Sequence, residues 1–238
     1  MRDIMKKKIV SSVLIIGFVI LLSFSGCEGD SEEEPGTTIV CIGDDFTVGY
    51  DHVFNMALMN HSYPIYLAEK VNIPVINSGR AKETSAQALT RVKNDIISKD
   101  PRIVIIMYGL NDITSQIFAA TTENNLREMI KKINNGNRKI YLVKFYTDEI
   151  GLAIGSQLAW FLGEEYILGL IAEYNAMFAS LSSIKNVTLI ENMWDGVWGV
   201  SANMSGNMYP NQNGYKTMAD NFFKVMEPYL KSNGLIKK

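Results

Sequence analysis

Histidine is nearly missing from this chain: His52 and His61 are the only two in 238 residues. Chemistry that needs an imidazole must be served by one of these, and both lie between the first predicted strand and the first predicted helix. Cysteine is as scarce, at Cys27 and Cys41. One cysteine ahead of the folded region and one inside an apolar strand provide no disulfide framework. No cluster of His, Cys and Asp has metal-ligand spacing, no glycine loop has the form that cradles phosphate, and no internal repeat recurs. Charge of one sign is lacking too: the formal net charge of −2 leaves no basic footprint for nucleic acid. No metal, cofactor or nucleic-acid partner is expected.

Long apolar runs are confined to residues 9–22, which are short for a spanning helix of roughly 20 residues. Arg2, Lys6, Lys7 and Lys8 precede the run, so it reads as the apolar core of a signal peptide. Phe24-Ser25-Gly26-Cys27 then resembles the bacterial lipobox. That resemblance implies export across the inner membrane, cleavage before Cys27 and a lipid on its sulfur; a plain membrane anchor is the alternative. The expected division is a lipoprotein signal peptide over 1–26, an acidic, solvated tether over 27–37, a domain over 38–231 and a tail over 232–238.

Apolar residues are plentiful, at 47% of the chain, enough for one α/β domain with a sizeable core. Residues 38–50 (TIVCIGDDFTVGY) organise the rest. Ile39 to Ile42 suit a buried strand that runs into a tight turn at Gly43-Asp44-Asp45. Ligands in open α/β sheets bind beyond the strands' carboxyl ends, which puts Asp44 and Asp45 at a pocket mouth. Residues 51–60 read as a polar loop. Further strands are predicted over 73–77, 103–107, 139–145 and 187–190, and helices over 62–71, 84–98, 121–133, 171–181 and 213–230. This alternation implies about five parallel strands with helices on both faces. Between them residues 147–170, rich in apolar side chains such as Trp160 and Phe161, either extend the core or form a lid or wall.

The 38–50 stretch resembles the opening motif of the GDSL lipases, or SGNH hydrolases. Three more stretches follow in that family's order: Asn77-Ser78-Gly79-Arg80-Ala81-Lys82-Glu83-Thr84-Ser85, Tyr108-Gly109-Leu110-Asn111-Asp112, and Gly206 to Asn211 with Gly214-Tyr215 beyond. The resemblance implies a single three-layer (α/β/α), flavodoxin-like SGNH-hydrolase domain and acyl-ester hydrolysis. That reaction needs a nucleophilic hydroxyl, a histidine base and donors to a tetrahedral oxyanion.

Matched position by position, the resemblance puts the nucleophile at Asp45, the oxyanion glycine at Lys82, and the closing aspartate and histidine at Gly206 and Tyr209. A phenol with a pKa of roughly 10 is a weak base at neutral pH, and a glycine cannot orient one. No catalytic set is intact; Asn111 is the oxyanion-type remnant, and Asp44, His52, Gly79, Trp194 and Trp198 are candidate pocket residues. The expectation is a pseudoenzyme: a lipid-anchored envelope protein whose cleft binds a glycan, acyl group or protein. An active esterase rearranged around Ser201 or Ser205 is one alternative, and a structural lipoprotein whose own side chains fill the cleft is another. Asp45 and Lys82 are expected to pair as ions across the former oxyanion hole.

Overall fold

Four apolar residues in a row, Ile39 to Ile42, are wholly buried in β1 (Thr38–Gly43), near the middle of a five-stranded sheet. The computed structural model describes residues 36–51, 53–145, 164–206 and 208–238. Cys27, His52 and residues 147–163 of the apolar insert lie outside them.

After β1 come α1 (Asp45–Val48), a hairpin of β2 (Tyr50–Asp51) and β3 (Met56–Ala57), and α2 (Tyr63–Ala68). Next are β4 (Val75–Gly79), α3 (Ser85–Asp95), β5 (Pro101–Met107), α4 (Leu110–Thr114), α5 (Ala119–Ile133) and β6 (Lys139–Val143). The chain ends with α6 (Glu164–Ser182), β7 (Val187–Ile190), a hairpin of β8 (Met204–Ser205) and β9 (Tyr209–Pro210), and α7 (Gln212–Ser232). The main sheet has the order β4-β1-β5-β6-β7 and every pairing is parallel.

Burial explains the elements. Ile103 to Met107 in β5 are all 0% exposed, as a strand covered by helices on both faces requires. Leu126, Met129, Ile130 and Ile133 form the buried stripe of α5 at helical spacing. The Thr84 N–H ahead of α3 is taken up by Gln87 Oε1 at 2.9 Å, and Asn211 Oδ1 accepts the Gly214 N–H at the start of α7. Helix α2 packs against α7, α3 against α5, and α5 against α6.

Some boundaries move from their predicted places. The helix expected from residue 171 already includes residues 164–170, because Ile167, Ile171, Tyr174 and Phe178 form one unbroken buried stripe. The second main strand starts at Val75, after Pro74, which has no N–H to give a ladder. The supposed polar loop at 51–60 holds the β2–β3 hairpin with Val53, Phe54 and Met56 exposed. Near the end of the chain, Leu235 is buried and Ile236 bridges to Val71. Among the described residues no helix is long and apolar enough to cross a membrane.

Candidate active site

The chain crosses from β1 to β4 on one side and to β5 on the other, so a crevice opens beyond the carboxyl ends of β1 and β5. Asp45 follows β1 and Asn111 follows β5, which is why residues far apart in sequence meet there. Asp45 is 1% exposed. Its Oδ2 accepts from the Asn111 side-chain amide at 2.7 Å and from the Lys82 backbone N–H at 3.0 Å. Asn111 Nδ2 also reaches Glu83 O at 3.3 Å.

Lys82 therefore enters the site in a different way from that expected. Its backbone is left-handed, φ 61°, a conformation that costs a residue with a Cβ on the order of 1–2 kcal/mol. This geometry turns the N–H inward onto Asp45 while the residue stays exposed. None of the described ion pairs includes its ammonium, so the predicted Asp45–Lys82 ion pair is replaced by a backbone hydrogen bond.

Across the crevice Tyr209 stacks at a tilt on Phe46 and Tyr50, with ring centroids 5.6 and 5.0 Å away. Burial, and then the negative charges of Asp45 and Asp44, push its phenol above the ordinary tyrosine value. It keeps its proton at neutral pH and cannot serve as a base. Gly206 sits in the β8–β9 turn at φ 72°, exposed and with no side chain to orient a partner.

Asp44 caps α1, accepting from the Phe46 N–H at 3.3 Å. Burial first, and the neighbouring Asp45 second, raise its carboxyl well above the usual range. A folded-state pKa above the unfolded value of roughly 3.9 contributes stability below that pH and loses it as pH rises toward the folded value. Asp44→Asn keeps the accepting oxygen and removes the titration. It should melt at a higher temperature than the wild type at pH 7, with the gap closing toward about pH 4; thermal scans across that range check this.

The remaining predicted residues divide plainly. A Cβ on Gly79 would lie 2.4 Å from Val48 N, so its smallness serves the close approach of β4 to α1 rather than a pocket wall. Trp194, expected at the mouth, is 6% exposed; its indole donates to Phe145 O at 2.6 Å and its ring meets Phe46 edge-on. Trp198 is half-buried against Trp194. Ser205 is buried and its Oγ donates to Asp51 Oδ1 at 3.0 Å, whereas Ser201 is exposed.

Beneath the crevice lies a polar network that joins residues of the second and third motifs to Arg91, which motif matching did not single out. Glu83 and Arg91, both 6% exposed, are paired through two hydrogen bonds, from Arg91 Nε (2.7 Å) and from Nη2. Tyr108 donates to Glu83 at 2.6 Å, and Arg91 also reaches Asp95 at 2.9 Å and Ser78 O at 2.8 Å. Arg91 lies beside Val92 on the buried stripe of α3, and a charge on an apolar stripe was the available signal. Beside this network the wholly buried Asp112 accepts from Ser85 N (3.0 Å) and Thr122 Oγ1 (3.2 Å). Together these bonds set the loops that carry Lys82 and Asn111.

Residues 41–217 match the GDSL-like Lipase/Acylhydrolase family. The uncharacterized lipoprotein YqeF of Bacillus subtilis is 30% identical over 100 residues, which are 41% of this chain and 40% of that one. Thioesterase 1/protease 1/lysophospholipase L1 of Escherichia coli is 26% identical over 53% of this chain and 56% of its own. The chain thus spans about half the length of these curated relatives. The psychrotrophic esterase EstA of Pseudoalteromonas sp., solved in a form inhibited by monoethylphosphonate, superposes with a TM-score of 0.64 at 21% identity. That superposition covers 82% of this chain and 99% of the esterase. With most of its length inside the family match, this chain belongs to the GDSL-like lipase/acylhydrolase family.

Proposed function

We propose that this family member has lost acyl-ester hydrolysis and uses its cleft for binding, as a lipid-anchored protein of the bacterial envelope. One observation carries the reading: Asp45 Oδ2 lies between the Lys82 N–H and the Asn111 amide. In an acyl hydrolase these are the places of donors to a developing oxyanion. Here the side chain at the nucleophile position satisfies both donors, so an ester carbonyl would meet neither a hydroxyl nor an open cradle. Tyr209, held protonated, stands where a base would be needed.

The envelope placement is supported by the lipobox-like Phe24 to Cys27 and by the likeness to a Bacillus lipoprotein. An interaction role is supported by apolar side chains exposed in the connections that follow β1, β5 and β7, Phe54, Phe118 and Val200 among them. Glycan, acyl and protein ligands are the classes proposed.

A fluorophosphonate probe tests the loss of activity. The folded chain should take up far less than one label per molecule, since no described serine is paired with an imidazole. Stoichiometric labelling at Ser205 would instead support an esterase rearranged around the Ser205–Asp51 bond.

A further inference from the structure

The sheet is parallel, so all five strands begin at one edge and the segments that lead into them share one face of the domain. Hydrogen bonds stitch these segments together. Asn72 Nδ2 donates to Gly234 O (2.8 Å), Arg102 Nη2 to Asn233 Oδ1 (2.7 Å), Arg138 Nε to Pro101 O (3.2 Å) and Asn134 Nδ2 to Lys185 O (3.0 Å). The face is strongly basic: Lys99, Lys131, Lys132, Lys185, Lys231 and Lys237 are all exposed on it. Across residues 69–74, 96–100, 131–139, 183–186 and 231–238 the acids are Glu69 and Asp100, while Glu128 and Asp220 from the adjoining helices pair with Lys131 and Lys70. The cleft edge is more mixed, with Arg80, Lys82 and Lys144 just after β4 and β6. Residues 44–62 and 191–206 contain no lysine or arginine, yet they hold Asp44, Asp45, Asp51, Glu191 and Asp195.

Helix dipoles explain part of this polarity. Lys131, Lys132 and Lys231 stand in the last turns of α5 and α7, where a cation offsets the negative helix end. Lys185 and Lys237 lie outside any helix. A hollow of about 450 Å³ is set into the face, with Lys231, Lys237 and Lys238 in its lining. The chain ahead of the domain leaves from the same edge, where the Thr37 N–H donates to Asp100 O and Thr38 Oγ1 to Lys99 O.

We propose that this basic face docks on the anionic headgroups of the membrane that holds the lipid anchor, and so turns the cleft away from that membrane. The proposal rests on the reading of Cys27 as the lipidated residue. From Cys27 to Gly36 an extended chain reaches at most roughly 30 Å, which bounds the distance of Gly36 from the lipid. Anionic headgroups draw in basic segments over about a Debye length, ~8–10 Å, and such contact is salt-sensitive. The tether's own acids, Glu28, Asp30, Glu32, Glu33 and Glu34, are repelled by the same headgroups, so the attraction comes from the domain.

The test uses the full lipid-modified chain, reconstituted into vesicles of phosphatidylcholine alone or with about 30% phosphatidylglycerol. Lysines are acetylated with a membrane-impermeant reagent and read individually by mass spectrometry. Both vesicle types should retain the chain. Lys131, Lys132, Lys185 and Lys231 should be labelled about fivefold more slowly on the anionic vesicles, with Lys82 labelled equally on both. Added salt at about 0.5 M should abolish the difference. Lys131→Glu, Lys132→Glu and Lys185→Glu together should remove the protection of Lys231. Equal labelling of a retained chain on both vesicle types, protection centred on Lys82, or protection only with a protein partner present overturns the docking. Release from neutral vesicles overturns the anchor instead, so the two failures are distinguishable.

Discussion

The triple variant Asp45→Ser, Gly206→Asp, Tyr209→His should hydrolyse p-nitrophenyl acetate about a hundredfold or more faster than the wild type, which should stay near the uncatalysed rate. The scaffold around the missing groups is still in place. Asn111 and the Lys82 N–H converge on one point beside residue 45, and a serine there would free both donors for a substrate oxygen. A histidine at 209 would start from a position already packed against Phe46 and Tyr50 beside residue 45. Aspartate tolerates the left-handed backbone of Gly206 better than most residues do. Asp45→Ser alone should gain little, because nucleophile and base act as a unit. Initial rates of purified proteins decide it, and wild-type turnover equal to the triple variant's would sink the reading.

Arg91→Ala should cost the fold about 3–5 kcal/mol, the largest single-site loss expected in this domain. The substitution strips Glu83 of its partner in a place where both side chains are buried, and it also removes the bonds to Asp95 and Ser78. Desolvation is repaid only while the pair is complete; the unpaired carboxyl would bear that cost alone. Replacing both members, Glu83→Leu with Arg91→Met, should be far milder, since apolar side chains of similar volume need no partners. Urea denaturation with an unchanged m-value separates the two cases. If Arg91→Ala and the double variant lose equal stability, the pair is not what holds these loops. In the triple variant background Arg91→Ala should also lower the esterase rate, because Glu83 adjoins Lys82 and its carbonyl touches Asn111.

Much of the architecture was legible in the chain. Ile39 to Ile42 and Ile103 to Met107 are apolar without alternation, a pattern that fits a parallel strand with helices on both sides and little else. The stripe of α5 could be read at the spacing of Leu126, Met129, Ile130 and Ile133. The helical run ahead of residue 171 could not, because its apolar residues fitted a lid or wall as well as the core, and only the fold puts Ile167 on the same buried stripe as Tyr174. Trp194 was misplaced for a similar reason. An aromatic in a loop suits a pocket mouth or an interior equally well, and only the Phe145 carbonyl, far off in sequence, chose the interior.

The sequence by itself determined the sheet, the order of the motifs and the absence of a hydroxyl at 45 and an imidazole at 209, since each depends on residue type and local spacing. Only the tertiary structure decided that Asp45 hydrogen-bonds the Lys82 N–H and the Asn111 amide, with the lysine ammonium taking no part. The physical reason is distance along the chain. Those partners lie 37 and 66 residues from Asp45, and they meet because parallel strands deliver their carboxyl ends to one crevice, while a left-handed turn at Lys82 points its N–H inward. The same geometry collects lysines from separate helix ends and loops at the opposite edge, a charge pattern that no local stretch of the chain displays.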